Sequence, residues 1–233
     1  ELDFHGKVFL CQSYVWFSNM IQDFLNYYRY ASRWVKLFDD NPEFKEREIP
    51  TYIKGLHNRL NALLFTGKYD MQQTALAELE TFFRNPSFKL TRNERSLTAL
   101  FYYTHVINAH FMSGEFTKSL GWVPEFLAAL ESDEYSWDDY RVTRFYYKIG
   151  TLYFGAGDNE TAIDYLNMVI NSEKRVRPDV EAFSRFLDLI AHFELGNTTL
   201  VSYRLKSLYR FLLKIKNLDA VQAEILKFLR RVP

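Results

Sequence analysis

The sequence predicts an all-α chain: about five helical hairpins followed by a C-terminal helix. Three observations carry that expectation. Apolar residues recur at helical spacing along nearly the whole chain, and no stretch shows convincing strand alternation. Chain breakers are few, with 9 Gly and 6 Pro among 233 residues, whereas 21 Phe and 16 Tyr supply bulky interhelical contacts. A short turn also returns at near-regular intervals, as FTGKY (65–69), MSGEF (112–116), GAGDN (155–159) and ELGNT (194–198), with MIQDF (20–24) as a relative that lacks glycine. The third positions, Gln22, Gly67, Gly114, Gly157 and Gly196, are spaced by 45, 47, 43 and 39 residues, which is the mark of an irregular internal repeat.

Taken in order, the periodicity predicts helices at about 5–20, 23–39, 50–65, 69–84, 91–112, 116–131, 137–155, 159–172, 179–195, 199–216 and 218–231. Boundary signals agree with these limits. TRNE (91–94) and SWDD (136–139) fit the capping box that satisfies free amides at a helix start. Pro42, Pro50, Pro86 and Pro178 fall between hairpins, where proline stops one helix or opens the next. The clearest hairpin is FYYKIGTLYFGAGDNETAIDYL (145–166). Phe145, Ile149, Leu152, Tyr153 and Ala156 share one helical face before the turn, and Ala162, Leu166, Val169 and Ile170 share one after it. The last helix pairs with nothing before it. Its stripe of Val221, Ile225, Phe228, Leu229 and Val232 reads as a cap on the stack or as half of a further hairpin.

Composition bounds the function. At this length the chain buries enough surface to fold without disulfide or metal. A lone Cys11 forms no internal bridge and reads as a small buried hydrophobe, in keeping with a cytoplasmic chain. Lys plus Arg and Asp plus Glu stand at 29 each, so overall charge gives no reason to expect nucleic acid or an anionic membrane. No apolar run approaches the ~20 residues of a membrane span. The chain begins at Glu1 rather than Met, which reads as a fragment or a processed form and leaves open that a targeting segment has been removed.

Tyr146, Ile149, Gly150, Tyr153, Gly157, Asp158, Ala162 and Leu166 resemble the tetratricopeptide repeat in kind and spacing. The small residues Gly150 and Ala162 stand where such a repeat brings its two helices close. The match covers about residues 143–172. The other hairpins keep the plan and often the turn glycine, but Leu60, Ile107 and Leu189 stand where Gly150 does, and their spacing exceeds the family's 34 residues. The resemblance implies a single domain over 1–233, a right-handed α-α superhelix (a TPR-like solenoid) whose first helices line a concave groove. Carried over from this repeat, the groove positions are Arg144, Tyr147, Thr151 and Phe154. The same offset from the turn glycine gives His57 and Asn61, then Thr104 and Asn108.

Sites of chemistry are poorly represented. The glycines of GAGDN lack the order, preceding strand and lysine of a phosphate loop, so they read as a helix turn. His105 and His110 lie about 140° apart on a helix and do not converge on a metal. His110 and His192 each precede a turn glycine by four residues and read as interhelical packing. Cys11 has no catalytic partner in sequence, and the acids of ESDEYSWDD (131–139) lack the glycine and terminal glutamate of a calcium loop. Charge is uneven along the chain: residues 115–172 hold 10 acids and 4 bases, and 173–233 hold 7 acids and 12 bases. Lys206, Arg210 and Lys214 form one basic stripe at i, i+4, i+8, which reads as a solvated outer face. The expectation is a non-enzymatic scaffold with no cofactor and no metal that holds a protein or extended peptide in its groove. The alternative is a regulatory or sensor domain that takes a signalling peptide or small ligand.

Overall fold

A computed structural model describes residues 2–85, 89–172, 177–215 and 227. Among them every regular element is helical. The chain divides into two compact units, one of Glu1–Gly114 with Glu131–Ser136, the other of Glu115–Leu130 with Trp137–Pro233.

The first unit contains α1 (Phe4–Met20), α2 (Phe24–Asp39), the short α3 (Glu43–Arg47), α4 (Ile49–Phe65), α5 (Tyr69–Arg84) and α6 (Arg92–Ser113). Consecutive long helices pack in pairs: α1 on α2, α2 on α4, α4 on α5 and α5 on α6, with α4 also lying against α6. Trp34, Phe38, Ile53, Leu56, Leu60, Leu63 and Leu79 are fully buried and form the centre of this unit. Sequence periodicity overlooks α3, because five charged and aromatic residues after Pro42 are too short a run to show a helical stripe.

The second unit contains α7 (Phe116–Ser119), a 3₁₀ turn at Leu120–Trp122, α8 (Val123–Glu131), α9 (Asp139–Gly155), α10 (Asn159–Ile170), α11 (Pro178–Glu194) and α12 (Thr198–Ile215). Pairs again pack in order, α9 on α10, α10 on α11 and α11 on α12, with α9 also touching α11. The single helix expected at 116–131 is thus broken. Gly121 lies at the break and Pro124 follows it, residues that weaken and interrupt a helix. Of the helix expected at 218–231 only Lys227 is among the described residues; its stripe of Val221, Ile225, Phe228, Leu229 and Val232 lies outside them, as does Pro86.

The turns follow one design. Gly67, Gly114, Gly157 and Gly196 have φ between 65° and 83°, and Gln22 takes the same left-handed conformation at φ 60°. The amide after each of four turn residues reaches back five positions, Asp23 to Ser18 at 2.9 Å, Lys68 to Leu63 at 3.1 Å, Asp158 to Tyr153 at 3.0 Å and Asn197 to His192 at 3.0 Å. These bonds satisfy carbonyls that a helix end leaves open. Asp23 and Asp158 then cap the next helix, accepting from the amides of Asn26 and Thr161. The Thr91–Glu94 capping box is present at α6. At α9 the cap is Asp138 and not Ser136. Ser136 instead donates to the Asp133 carbonyl at 2.9 Å, and Trp137 packs against Phe145, which delays the helix start by two residues.

Candidate functional site

The first helices α4 and α6 lie side by side, and their facing residues make a polar and aromatic cluster. His57, half-buried on α4, stacks on Phe101 of α6 with ring centroids 3.9 Å apart and planes 13° from parallel. Its Nδ1 lies 2.9 Å from Nε2 of the fully buried His105, and its Nε2 lies 3.0 Å from the Asn61 amide nitrogen. Asn61 donates into Nε2, so a neutral His57 carries its proton on Nδ1 and donates it to His105. One direction of donation therefore runs Asn61 to His57 to His105. On the adjoining side, Tyr27 of α2 donates to Asn58 Oδ1 at 2.8 Å, and burial holds its hydroxyl up at about 12.

The sequence places His57 and Asn61 in the groove, and the fold brings them together. It also adds Phe101 and His105, which the sequence analysis did not select. Phe101 stands three residues before Thr104, at the place that Arg144 holds in α9, so the same turn offset finds it. His105 has no such signal, because its partner is 48 residues away. Thr104 is half-buried beside this cluster, and Asn108, 8% exposed, presents little surface.

The four positions on α9 form a second face, in the other unit. Arg144 is exposed and sits over the Tyr140 ring, 5.8 Å from its centroid. Tyr147 and Phe154 are half-buried, and Thr151 turns its hydroxyl back to the Tyr147 carbonyl at 2.8 Å. Burial raises the Tyr147 phenol, and Asp179 of α11 adds to that. Lys148, one residue on and four from Arg144, was not selected either. Desolvation first, and then the Arg144 charge, bring its amine down to about 7.

The remaining candidates behave as packing. Gly150 and Ala162 are buried where α9 meets α10, and Tyr153 stacks on Tyr165 with centroids 5.6 Å apart. Gly155 has a further reason to be small, since a Cβ there would sit 2.6 Å from the Phe116 ring. His192 lies 3.7 Å from the buried Asp188, which also pairs with Arg204 at 3.2 Å. Desolvation raises the Asp188 carboxyl, against the pull of Arg204 and His192. Cys11 is buried and its thiol is pushed up by burial. Lys206, Arg210 and Lys214 are all exposed.

A cavity of about 210 Å³ opens in the first unit among Tyr28 of α2, Arg59 and Leu63 of α4, and Met71, Thr74 and Glu78 of α5. Arg59 pairs with Glu78 at its wall. Among the described residues no three His, Cys, Asp or Glu side chains gather to hold a metal ion, and no helix is long and apolar enough to cross a membrane. Comparison with protein-family models and with curated proteins gives no match to the chain.

Proposed function

We propose that the chain is a tetratricopeptide-like solenoid and a non-enzymatic scaffold, whose first helices hold an extended peptide or a protein segment. The observation that carries this reading is the His57–Phe101–Asn61 cluster. A flat aromatic stack and an amide are held on adjacent first helices by packing and by hydrogen bonds, so little side-chain freedom remains to be lost on binding. Rings of this kind cover side chains of an extended chain, and amides pair with its backbone. The motif residues support the family reading: Gly150 and Ala162 meet at the close α9–α10 approach, Tyr146 and Tyr153 pack against Tyr165 of α10, and Gly157 makes the left-handed turn.

The test is selection of a phage-displayed random peptide library on the protein, followed by fluorescence anisotropy with the enriched peptides. Binding is expected to weaken at least about tenfold, ~1.4 kcal/mol, in His57→Ala and in Phe101→Ala, and to hold in Lys214→Ala. A library that yields no enriched peptide, or affinities untouched by both substitutions, rejects the reading.

A second reading, a sensing domain that takes a small ligand, is favoured by the cavity beside Arg59. Arg59 keeps its Nε buried without a hydrogen-bond partner, and Leu63 and Met71 supply apolar wall.

A further inference from the structure

The cavity of the first unit has a wall of two kinds. Tyr28 of α2, Leu63 of α4 and Met71 and Ala75 of α5 supply an apolar part, and Arg59, Glu78 and Thr74 a polar part. Leu63 and Ala75 are buried, so the apolar part is continuous with the core. The polar part is fixed by its own bonds. One carboxylate oxygen of Glu78 accepts from Arg59, and the other accepts from Tyr52 at 3.2 Å. Thr74 donates to the Asp70 carbonyl at 3.2 Å, which leaves the lone pairs of its hydroxyl free to accept. The volume of about 210 Å³ bounds what can enter. A cavity of roughly 150 Å³ takes benzene, so this one holds a single ring with one small substituent.

Arg59 and Glu78 set donors beside acceptors. The guanidinium carries more N–H groups than its pair uses, and the carboxylate has room for more than the two donors it receives. Arg59 Nε in particular is buried with no hydrogen-bond partner, a state that costs stability until an acceptor meets it. Charged ligands fit this wall poorly. An anion would lie beside the Glu78 carboxylate. A cation would lie beside Arg59, with the Lys68 amine a second cation 4.9 Å from the Tyr28 ring centroid. The charges of Arg59 and Glu78 already answer each other, so neither offsets the cost of taking an ion out of water.

We propose that this cavity binds a small, neutral aromatic amide. The ring lies against Tyr28, Leu63 and Met71, where it gains aromatic and sulfur contacts. Its carbonyl accepts from the Arg59 guanidinium, and its N–H donates to Glu78. A slight turn of the guanidinium on its flexible stem brings the unpartnered Nε–H to that carbonyl. An amide is the neutral group that offers an acceptor and a donor side by side, as the wall requires. This inference rests on the reading of the cavity as a small-ligand site and names the chemistry of the ligand. It is independent of the His57–Phe101 cluster.

Heteronuclear NMR titration of the full 233-residue chain with benzamide, benzoate and benzylamine tests it, since the three probes share a ring and differ in charge. Benzamide is expected to shift the Leu63 and Ala75 amides with a dissociation constant on the order of 1 mM, the range for about nine non-hydrogen atoms. Each charged probe is expected to bind at least about fivefold more weakly. Glu78→Gln removes the repelling charge and is expected to bring benzoate to the affinity of benzamide. Thr74→Trp, on an exposed position at the cavity, is expected to weaken benzamide at least about fivefold by steric block, and it reports occupancy even where Glu78→Gln fails to fold. No binding of any probe up to about 10 mM rejects the small-ligand reading and this inference with it. Benzoate or benzylamine bound as tightly as benzamide, with the shifts still at Leu63 and Ala75, overturns the amide assignment and leaves the cavity a ligand site. Benzamide binding unchanged in Thr74→Trp places the probe elsewhere and overturns the proposal as well.

Discussion

The α9–α10 pair in one unit and the α4–α5 pair in the other follow the same helix-turn-helix plan but close in different ways. Between α9 and α10, Gly150 allows near backbone contact: a Cβ on it would stand 3.0 Å from Leu166 Cγ and 3.3 Å from the Ala162 carbonyl oxygen. In α4 the equivalent residue is Leu60, fully buried. A side chain of that size holds its helices further apart, and the space takes polar groups. Arg59 pairs with Glu78 across α4 and α5, Tyr52 donates to the same carboxylate at 3.2 Å, and a cavity remains beside them. Burial first, then the Glu78 charge, drives the Tyr52 phenol far up. In these two pairs the small residue accompanies close backbone contact, and the large one a buried polar pair beside a cavity.

Exchange of the two solutions is the strongest way to break the comparison. Leu60→Ala leaves a hole in a fully buried core and is expected to cost about 3 kcal/mol. Gly150→Leu drives atoms into Leu166 and Ala162 and is expected to cost about 2 kcal/mol. Urea denaturation followed by circular dichroism checks both. Costs below about 0.5 kcal/mol in either would mean that the pair is not closed at that position.

A change of pH sharpens the electrostatic side. The amine of Lys148 sits near 7 in the fold against the ordinary lysine value, so between those two pH values the unfolded chain binds the extra proton. Stability is therefore expected to rise as pH climbs from about 7 toward 10, and Lys148→Met to flatten that rise. Melting temperatures measured across the range decide it, since equal slopes in both proteins would remove Lys148 as the cause. The least effect is at the turns. Gln22 is held in a left-handed conformation that the other four turns give to glycine, and Gln22→Gly is expected to stabilise by about 0.5–1 kcal/mol in the same urea experiment. A loss of stability would show that the Gln22 side chain contributes more than the backbone relief.

Much of this architecture is legible along the chain because its causes are local. Helix periodicity and turn chemistry act within a few residues, so even Gln22 is recognised as a turn from the company it keeps. The break at Gly121 and the delayed start of α9 are less visible. The break has local causes in Gly121 and Pro124 that the apolar periodicity masks, whereas the delayed start depends on the packing of Trp137 against Phe145. Of the candidate groove, His57 and Asn61 follow from a fixed offset to a glycine, and Phe101 follows from the same offset applied once more. His105 does not, because a lone histidine in a helix reads as packing until its partner on another helix is known.

The sequence by itself determined most of the long helices among the described residues, their order and the left-handed turn positions. Each depends on hydrogen bonds and apolar spacing between residues at most five apart. Only the tertiary structure decided that His57 meets His105 and that Arg59 borders a cavity. Those outcomes depend on which helix lies beside which and how closely. That closeness is set by side-chain volumes summed across an interface, and no single segment of the chain carries it.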